Sequence, residues 1–154
     1  MVSLGTIADL LSSIDAIRAA VHAWVQGTKG WKKKLQLELQ INIELILSYL
    51  ECDLPVDSVI ASLETSNMKA ALETGFNVNK LKRGKVSDEV AGDQPQYRQY
   101  VGWTTDKLFS NIYVKITDLQ TIVEMDPDNE KIRKSVRLIN ILKLMLLLMK
   151  HINA

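Results

Sequence analysis

Basic side chains occur in two short clusters, and clustered ammonium and guanidinium groups bind anions such as phosphate. The first cluster lies at residues 29–34, where three consecutive lysines occupy the first turn of a predicted helix. Exposed amides and the helix dipole already make that turn electropositive, so each added positive charge costs roughly a few tenths of a kcal/mol. The candidate anion-binding residues are Lys29, Lys32, Lys33, Lys34, Lys80, Lys82, Arg83 and Lys85.

Antiparallel helices, which short connections favour, would bring both clusters to one end of the fold. That end would also receive a C-terminal basic pair and four aromatic residues: Lys150, His151, Trp31, Tyr97, Tyr100 and Trp103. The opposite end would collect acidic residues: Glu51, Asp53, Asp57, Glu124, Asp126, Asp128 and Glu130. Basic residues flanked by aromatic rings indicate a surface for nucleic acid, nucleotide or another polyanion. The alternative is that the lysines are simply solvated and the aromatic residues pack a long connection.

A possible catalytic pair is formed by Arg18 and His22, which lie one helical turn apart. The pair resembles the Arg…His pair of HEPN-type helical ribonucleases, in which the gap is normally wider and a flanking polar residue completes the site. The alternative is an ordinary pair at the edge of an apolar helix face. We favour it, because so short a match recurs by chance.

Other catalytic and metal-binding motifs are not recognisable. Gly84-Lys85 resembles the end of a phosphate loop, but Asn79 replaces its first glycine and Val86 replaces its Ser or Thr. His22, His151 and Cys52 lie in different segments, without the spacing of metal ligands. We therefore predict a protein that is not an enzyme, with no catalytic residue, no metal and no cofactor.

Composition indicates one globular domain over residues 1–154. Hydrophobic residues make up 47% and charged residues 24% of the chain, and the net charge of +1 selects no class of partner by itself. A single cysteine excludes an internal disulfide, and the start of the sequence lacks the pattern of a signal peptide. The longest uncharged apolar run, 144–149, is too short to cross a bilayer, so we predict a cytoplasmic protein without a transmembrane segment.

Apolar spacing predicts helices over residues 4–25, 31–52, 54–73, 104–123 and 126–152. The third is expected to weaken or split near residues 65–67, and Thr104 or Thr105 is expected to cap the fourth. Asp126-Pro127 is expected to open the last helix, with Asp128 and Glu130 in its first turn. The predicted fold is all-α: a single antiparallel bundle of four to five helices with one long ordered connection over residues 75–103.

The segment 31–52 is ambiguous, because every second residue between 35 and 45 is apolar, as in a half-buried strand. Leu, Gln and Glu are helix formers, however, and no second segment alternates well enough to pair with it. We predict one long helix with apolar residues on two sides.

The last predicted helix has an apolar belt too wide for one neighbour, because Leu144 and Leu147 fall within its polar arc. We expect this helix to be central, and its surplus apolar surface, with that of Leu37 and Ile41, to be covered by another helix or by a partner. The predicted function is a non-enzymatic interaction or adaptor module that binds a protein partner or forms a homo-oligomer. One alternative is polyanion binding; another is a membrane-active bundle similar in type to the executioner domains of cell-death proteins.

Overall fold

The computed structural model describes residues 7–154, and this part of the chain contains seven α-helices and no strand. They are α1 (Ile7–Val25), α2 (Gly30–Cys52), α3 (Val56–Ser62), α4 (Ser66–Glu73), α5 (Asp88–Ala91), α6 (Thr105–Met125) and α7 (Lys134–Ile152). Short 3-10 helices lie at Val78–Lys80, Pro95–Tyr100 and Glu130–Ile132. The all-α prediction is confirmed. The start of the first predicted helix, before residue 7, lies outside the described residues.

The ambiguous segment is helical, as predicted, and forms α2. Leu35, Leu39 and Ile43 point into the core at four-residue steps, whereas Leu37 and Ile41 lie on the exposed side. The alternation therefore reflects two faces of one helix. Helix-forming residues and the lack of a pairing segment outweighed the strand-like pattern.

Helix α7 is the centre of the hydrophobic core. Twelve of its residues are buried, and it contacts α1, α2, α3, α5 and α6. Neighbours on several sides explain why its apolar belt is so wide. Its central position agrees with the prediction from the sequence.

The predicted start of this helix is wrong. The Asp126 amide donates to Ile122 O, which ends α6, and the backbone then passes through the turn at Glu130–Ile132. Helix α7 begins only at Lys134, after Arg133 adopts a left-handed backbone with φ of 54°. Asp128 and Glu130 therefore belong to the connection, and neither lies in the first turn of α7.

Polar side chains of α2 and α6 form hydrogen bonds with backbone groups between the two short helices α3 and α4. Gln120 donates to Ile60 O and Leu63 O at 3.0 and 2.9 Å, at the end of α3. Asn42 donates to Glu64 O and accepts from Glu64 N, both at 2.7 Å. The third predicted helix is split here, as expected, and α2 and α6 supply the hydrogen bonds that the break leaves unmade.

The connection between α4 and α6 contains α5 and two of the 3-10 helices, and it packs on α7. Tyr97 is buried, and its hydroxyl donates to Lys143 O at 3.0 Å. Burial raises the pKa of the Tyr97 phenol, so this donor remains protonated. Val86 N donates to Trp103 O at 2.9 Å and closes the connection just before α6. None of the helices in residues 7–154 is both long and apolar enough to span a bilayer.

Candidate anion-binding surface

Several contacts bring the two basic clusters to one end of the fold. The ring of Trp31, in the first turn of α2, stacks on Phe76 with ring centroids 5.3 Å apart. The short turn Val78–Lys80 then packs beside α6, where the Asn79 side chain accepts from the Asp106 amide at 2.9 Å. Together, these contacts place the start of α2, residues 76–85 and the start of α6 side by side.

We call this surface the basic end. It comprises the eight candidate residues and Lys107, in the first turn of α6: Lys29, Lys32, Lys33, Lys34, Lys80, Lys82, Arg83, Lys85 and Lys107. The isolated bridge between Lys85 and Thr104 ties the second cluster to the start of α6. Asp106 is an exposed acidic residue at the same end.

The start of α2 is electropositive in its backbone as well as in its side chains. Lys29 is the N-cap residue, with an extended backbone and no side-chain hydrogen bond to the helix. The first turn contains no acidic residue. Its free amides and its lysines therefore add their positive potential at one place.

None of the nine basic side chains forms an ion pair with an acidic side chain in the described part of the chain. Four of the ten basic residues elsewhere do form ion pairs, which are Arg18 with Glu44 and Glu51, Lys69 with Glu73, Arg98 with Asp88, and Lys134 with Asp57. Two lysines of the basic end donate instead to backbone oxygens, Lys33 to Val25 O at 3.5 Å and Lys82 to Ala154 O at 2.6 Å. Within residues 7–154, therefore, acidic side chains make no direct ion pair with this surface.

Two tryptophans hold lysines at the basic end. The Lys34 ammonium lies 5.1 Å from the ring centroid of Trp31, and the Lys107 ammonium lies 4.1 Å from that of Trp103. Sequence reasoning missed Lys107. Its four-residue spacing from Trp103, across the N-cap of α6, was the signal that could have found it.

The sequence placed His151 and Tyr97 near this end, but both are buried. Thr105 Oγ1 donates to Lys82 O at 2.6 Å, so the His151 Nε2–H donates to Thr105 Oγ1 at 2.8 Å. Burial, and then the positive charge of Lys82, lower the pKa of the imidazole. His151 is therefore a neutral structural residue that joins the end of α7 to the start of α6.

Arg18 and His22 do not form a hydrogen-bonded pair in the structure. Arg18 Nε donates to Glu44 Oε1 at 2.6 Å, and its Nη1 donates to Glu51. The His22 ring lies 2.9 Å from the side-chain nitrogen of Gln26. Arg18 thus forms an ion pair between α1 and α2 that was not predicted from the sequence, and His22 makes a separate contact within α1.

The four candidate interaction residues separate into two groups. Leu144 and Leu147 are 3% and 0% exposed, so the chain itself covers them and they contribute no surface for a partner. Leu37 and Ile41 are 39% and 55% exposed on α2. Within residues 7–154, no group of three or more His, Cys, Asp and Glu side chains is arranged to hold a metal ion.

The fold and this surface define an all-α protein with nine basic side chains at one end, none of them ion-paired with an acidic side chain of residues 7–154. Comparison of the chain with protein-family models, with curated proteins and with solved structures found no match.

Proposed function

We propose that the protein binds a polyanion at its basic end, without catalysing a reaction on it. One observation carries the proposal. Nine basic side chains lie at one end of the fold, and none of them forms an ion pair with an acidic side chain of residues 7–154. The net charge of the whole chain is only +1. Placing like charges together destabilises a fold unless an opposite charge is bound. A ligand with closely spaced phosphates would supply that opposite charge.

Binding would combine two kinds of donor. The free amides at the start of α2 would contact single phosphate oxygens, as helix N-termini do. The ammonium groups around them would displace the counterions of neighbouring phosphates. Binding of this kind has no base specificity of its own and weakens steeply as salt is added.

The triple variant K32Q/K33Q/K34Q tests this function. Each lysine that neutralises a phosphate contributes about 0.9 to the slope of log affinity against log salt for duplex DNA, so the slope should flatten by up to about 2.7. The free energy of unfolding should rise slightly, because like charge is removed from a helix N-terminus. The measurement is a titration of a labelled duplex by fluorescence anisotropy at several salt concentrations.

The matched control is K115Q/K131Q/R137Q, which removes the same charge from exposed positions outside the basic end. It should leave the slope nearly unchanged. Equal binding by the two triple variants, or no binding by the parent at low salt, would contradict the proposal.

A second candidate is association with a protein partner or a second copy through the exposed side of α2. Ile41 and Leu45 line an open groove with Gln40, Glu44, Ser48, Ser62 and Glu64. The burial of Leu144 and Leu147 removes half of the four candidate interaction residues from this role. Association of copies would require a mass above 17.4 kDa in light scattering that Ile41→Asp reduces to that of one chain.

The membrane-active alternative would require α7 to leave the core, since twelve of its residues are buried. No feature of residues 7–154 favours it over the other two functions. Polyanion binding remains the function that the geometry supports best.

A further inference from the structure

We infer that the basic end contacts the phosphate chain of its ligand and does not stack on nucleobases. This inference rests on the proposed polyanion binding and specifies its ligand class: closely spaced phosphates, as in a nucleic acid backbone or inorganic polyphosphate. It follows from the state of the aromatic rings at this end. Proteins that bind single strands through their bases present open aromatic faces beside positive charge.

The ring of Trp31 already contacts two side chains of the chain itself. Phe76 stacks on it at 5.3 Å with an interplanar angle of 22°, which covers one side. The Lys34 ammonium lies over the ring, 5.1 Å from the ring centroid. Two side chains of the chain itself therefore compete with a nucleobase for contact with Trp31.

The ring of Trp103 also contacts two other side chains of the chain. The Lys107 ammonium lies over it at 4.1 Å, and Tyr100 packs against it in a T-shaped arrangement with centroids 4.9 Å apart. A stacking base would have to displace Lys107 from this face. The two remaining rings of the predicted basic end are unsuitable as well, because Tyr97 is buried and Tyr100 packs on Trp103.

Phosphate binding, in contrast, leaves both contacts in place. A cation–π contact holds the lysine stem while the ammonium keeps hydrogens for other acceptors. Lys34 and Lys107 are both exposed, so their ammonium groups can contact a ligand without moving from the rings. The tryptophans thus position the lysines for phosphate oxygens.

The test compares four probes with the full chain at one low salt concentration: inorganic polyphosphate, a DNA duplex, a single strand, and an abasic single strand of equal length. Each stacked base would strengthen binding about 5- to 150-fold. We expect the single strand and its abasic form to bind within about twofold of each other, below that range. A preference of about fivefold or more for the strand with bases would overturn the inference and leave polyanion binding intact. Failure of all four probes to bind would instead overturn the proposed function.

The variant K107Q adds a readout that mere charge loss would not give. If Lys107 contacts phosphate, its loss should weaken binding of the single strand and of its abasic form by the same factor, and it should also weaken binding of the other two probes. If Lys107 only covers Trp103, its loss should expose a face of the indole ring to nucleobases. The strand with bases would then gain affinity relative to the abasic strand, and this result would contradict the inference. The control K115Q removes an exposed lysine farther along the same helix and should change neither quantity.

Discussion

Replacing Leu147 by aspartate is expected to unfold the chain. Leu147 is fully buried in α7, the helix that contacts five others. Truncating a buried leucine costs about 2–5 kcal/mol, and placing an ionised carboxylate in the same apolar site costs more. Since domains are stable by only about 5–15 kcal/mol, this one change should remove most or all of the stability.

Circular dichroism during urea or thermal unfolding measures this effect, and Ile41→Asp is the control. Ile41 is 55% exposed on α2, so the same substitution should change stability by less than about 1 kcal/mol there. A Leu147→Asp chain that keeps the helical signal and unfolds cooperatively would contradict the central placement of α7. It would also restore Leu147 as a residue that contacts a partner.

The sequence predicted those elements whose own residues decide their structure. The helix-forming residues of α2 outweighed its alternation, and Thr104 caps α6 by accepting from Lys107 N at 3.2 Å. The wide apolar belt correctly indicated that α7 is central. In these cases the deciding interactions are local or are repeated along one helix face.

The sequence could not decide features that depend on which distant segment provides the contact. A wide apolar belt requires cover, but its pattern does not distinguish the chain's own helices from a partner. Both possibilities were therefore open for Leu144 and Leu147, and the chain itself covers them. Asp126-Pro127 carries the signals of a helix start, yet Asp126 ends α6 instead. Caps are short signals, and a turn can use the same residues.

The basic end was predictable as two clusters but not in its details. The clustering of the lysines follows from their position in the chain, whereas the burial of His151 depends on Thr105 and Lys82 from other segments. The stacking of Trp31 on Phe76 joins the start of α2 to the connection after α4, two segments that are far apart in the sequence. Whether a ring is open or covered is therefore a property of the folded chain alone.

A second large effect is expected from Glu38→Ala. Glu38 is 2% exposed on α2, and its carboxylate accepts from Asn67 N and Met68 N at 2.8 Å each. Thr65, the N-cap residue of α4, makes no capping hydrogen bond with its side chain. The Glu38 carboxylate from α2 supplies the missing acceptor instead. Hydrogen bonds to charged groups contribute about 1.5–3 kcal/mol each, and Glu38→Ala leaves both amides without their acceptor. We expect a loss of about 3 kcal/mol, or about 6–12 °C in Tm for a chain of this size.

The variant Glu38→Gln separates the effect of losing hydrogen bonds at the start of α4 from the effect of losing side-chain volume. Its amide oxygen can accept one of the two hydrogen bonds at nearly unchanged size, so its loss of stability should be about half that of Glu38→Ala. Hydrogen exchange at Asn67 and Met68 should quicken in the same order, because these are the amides that Glu38 accepts from. Equal stability of Glu38→Ala and the parent would show that the contact does not cap α4.

The cap of α4 also links the stability of the fold to the basic end. Helix α4 leads directly to Phe76, which stacks on Trp31, so loosening its first turn should disturb the arrangement of the lysines around that ring. Glu38→Ala keeps every lysine, and we expect it to bind the polyanion more weakly than the parent in the same anisotropy titration. Electrostatic attraction to phosphates falls with distance, so the affinity depends on the positions of the lysines as well as on their number. Weaker binding by Glu38→Ala would show this dependence.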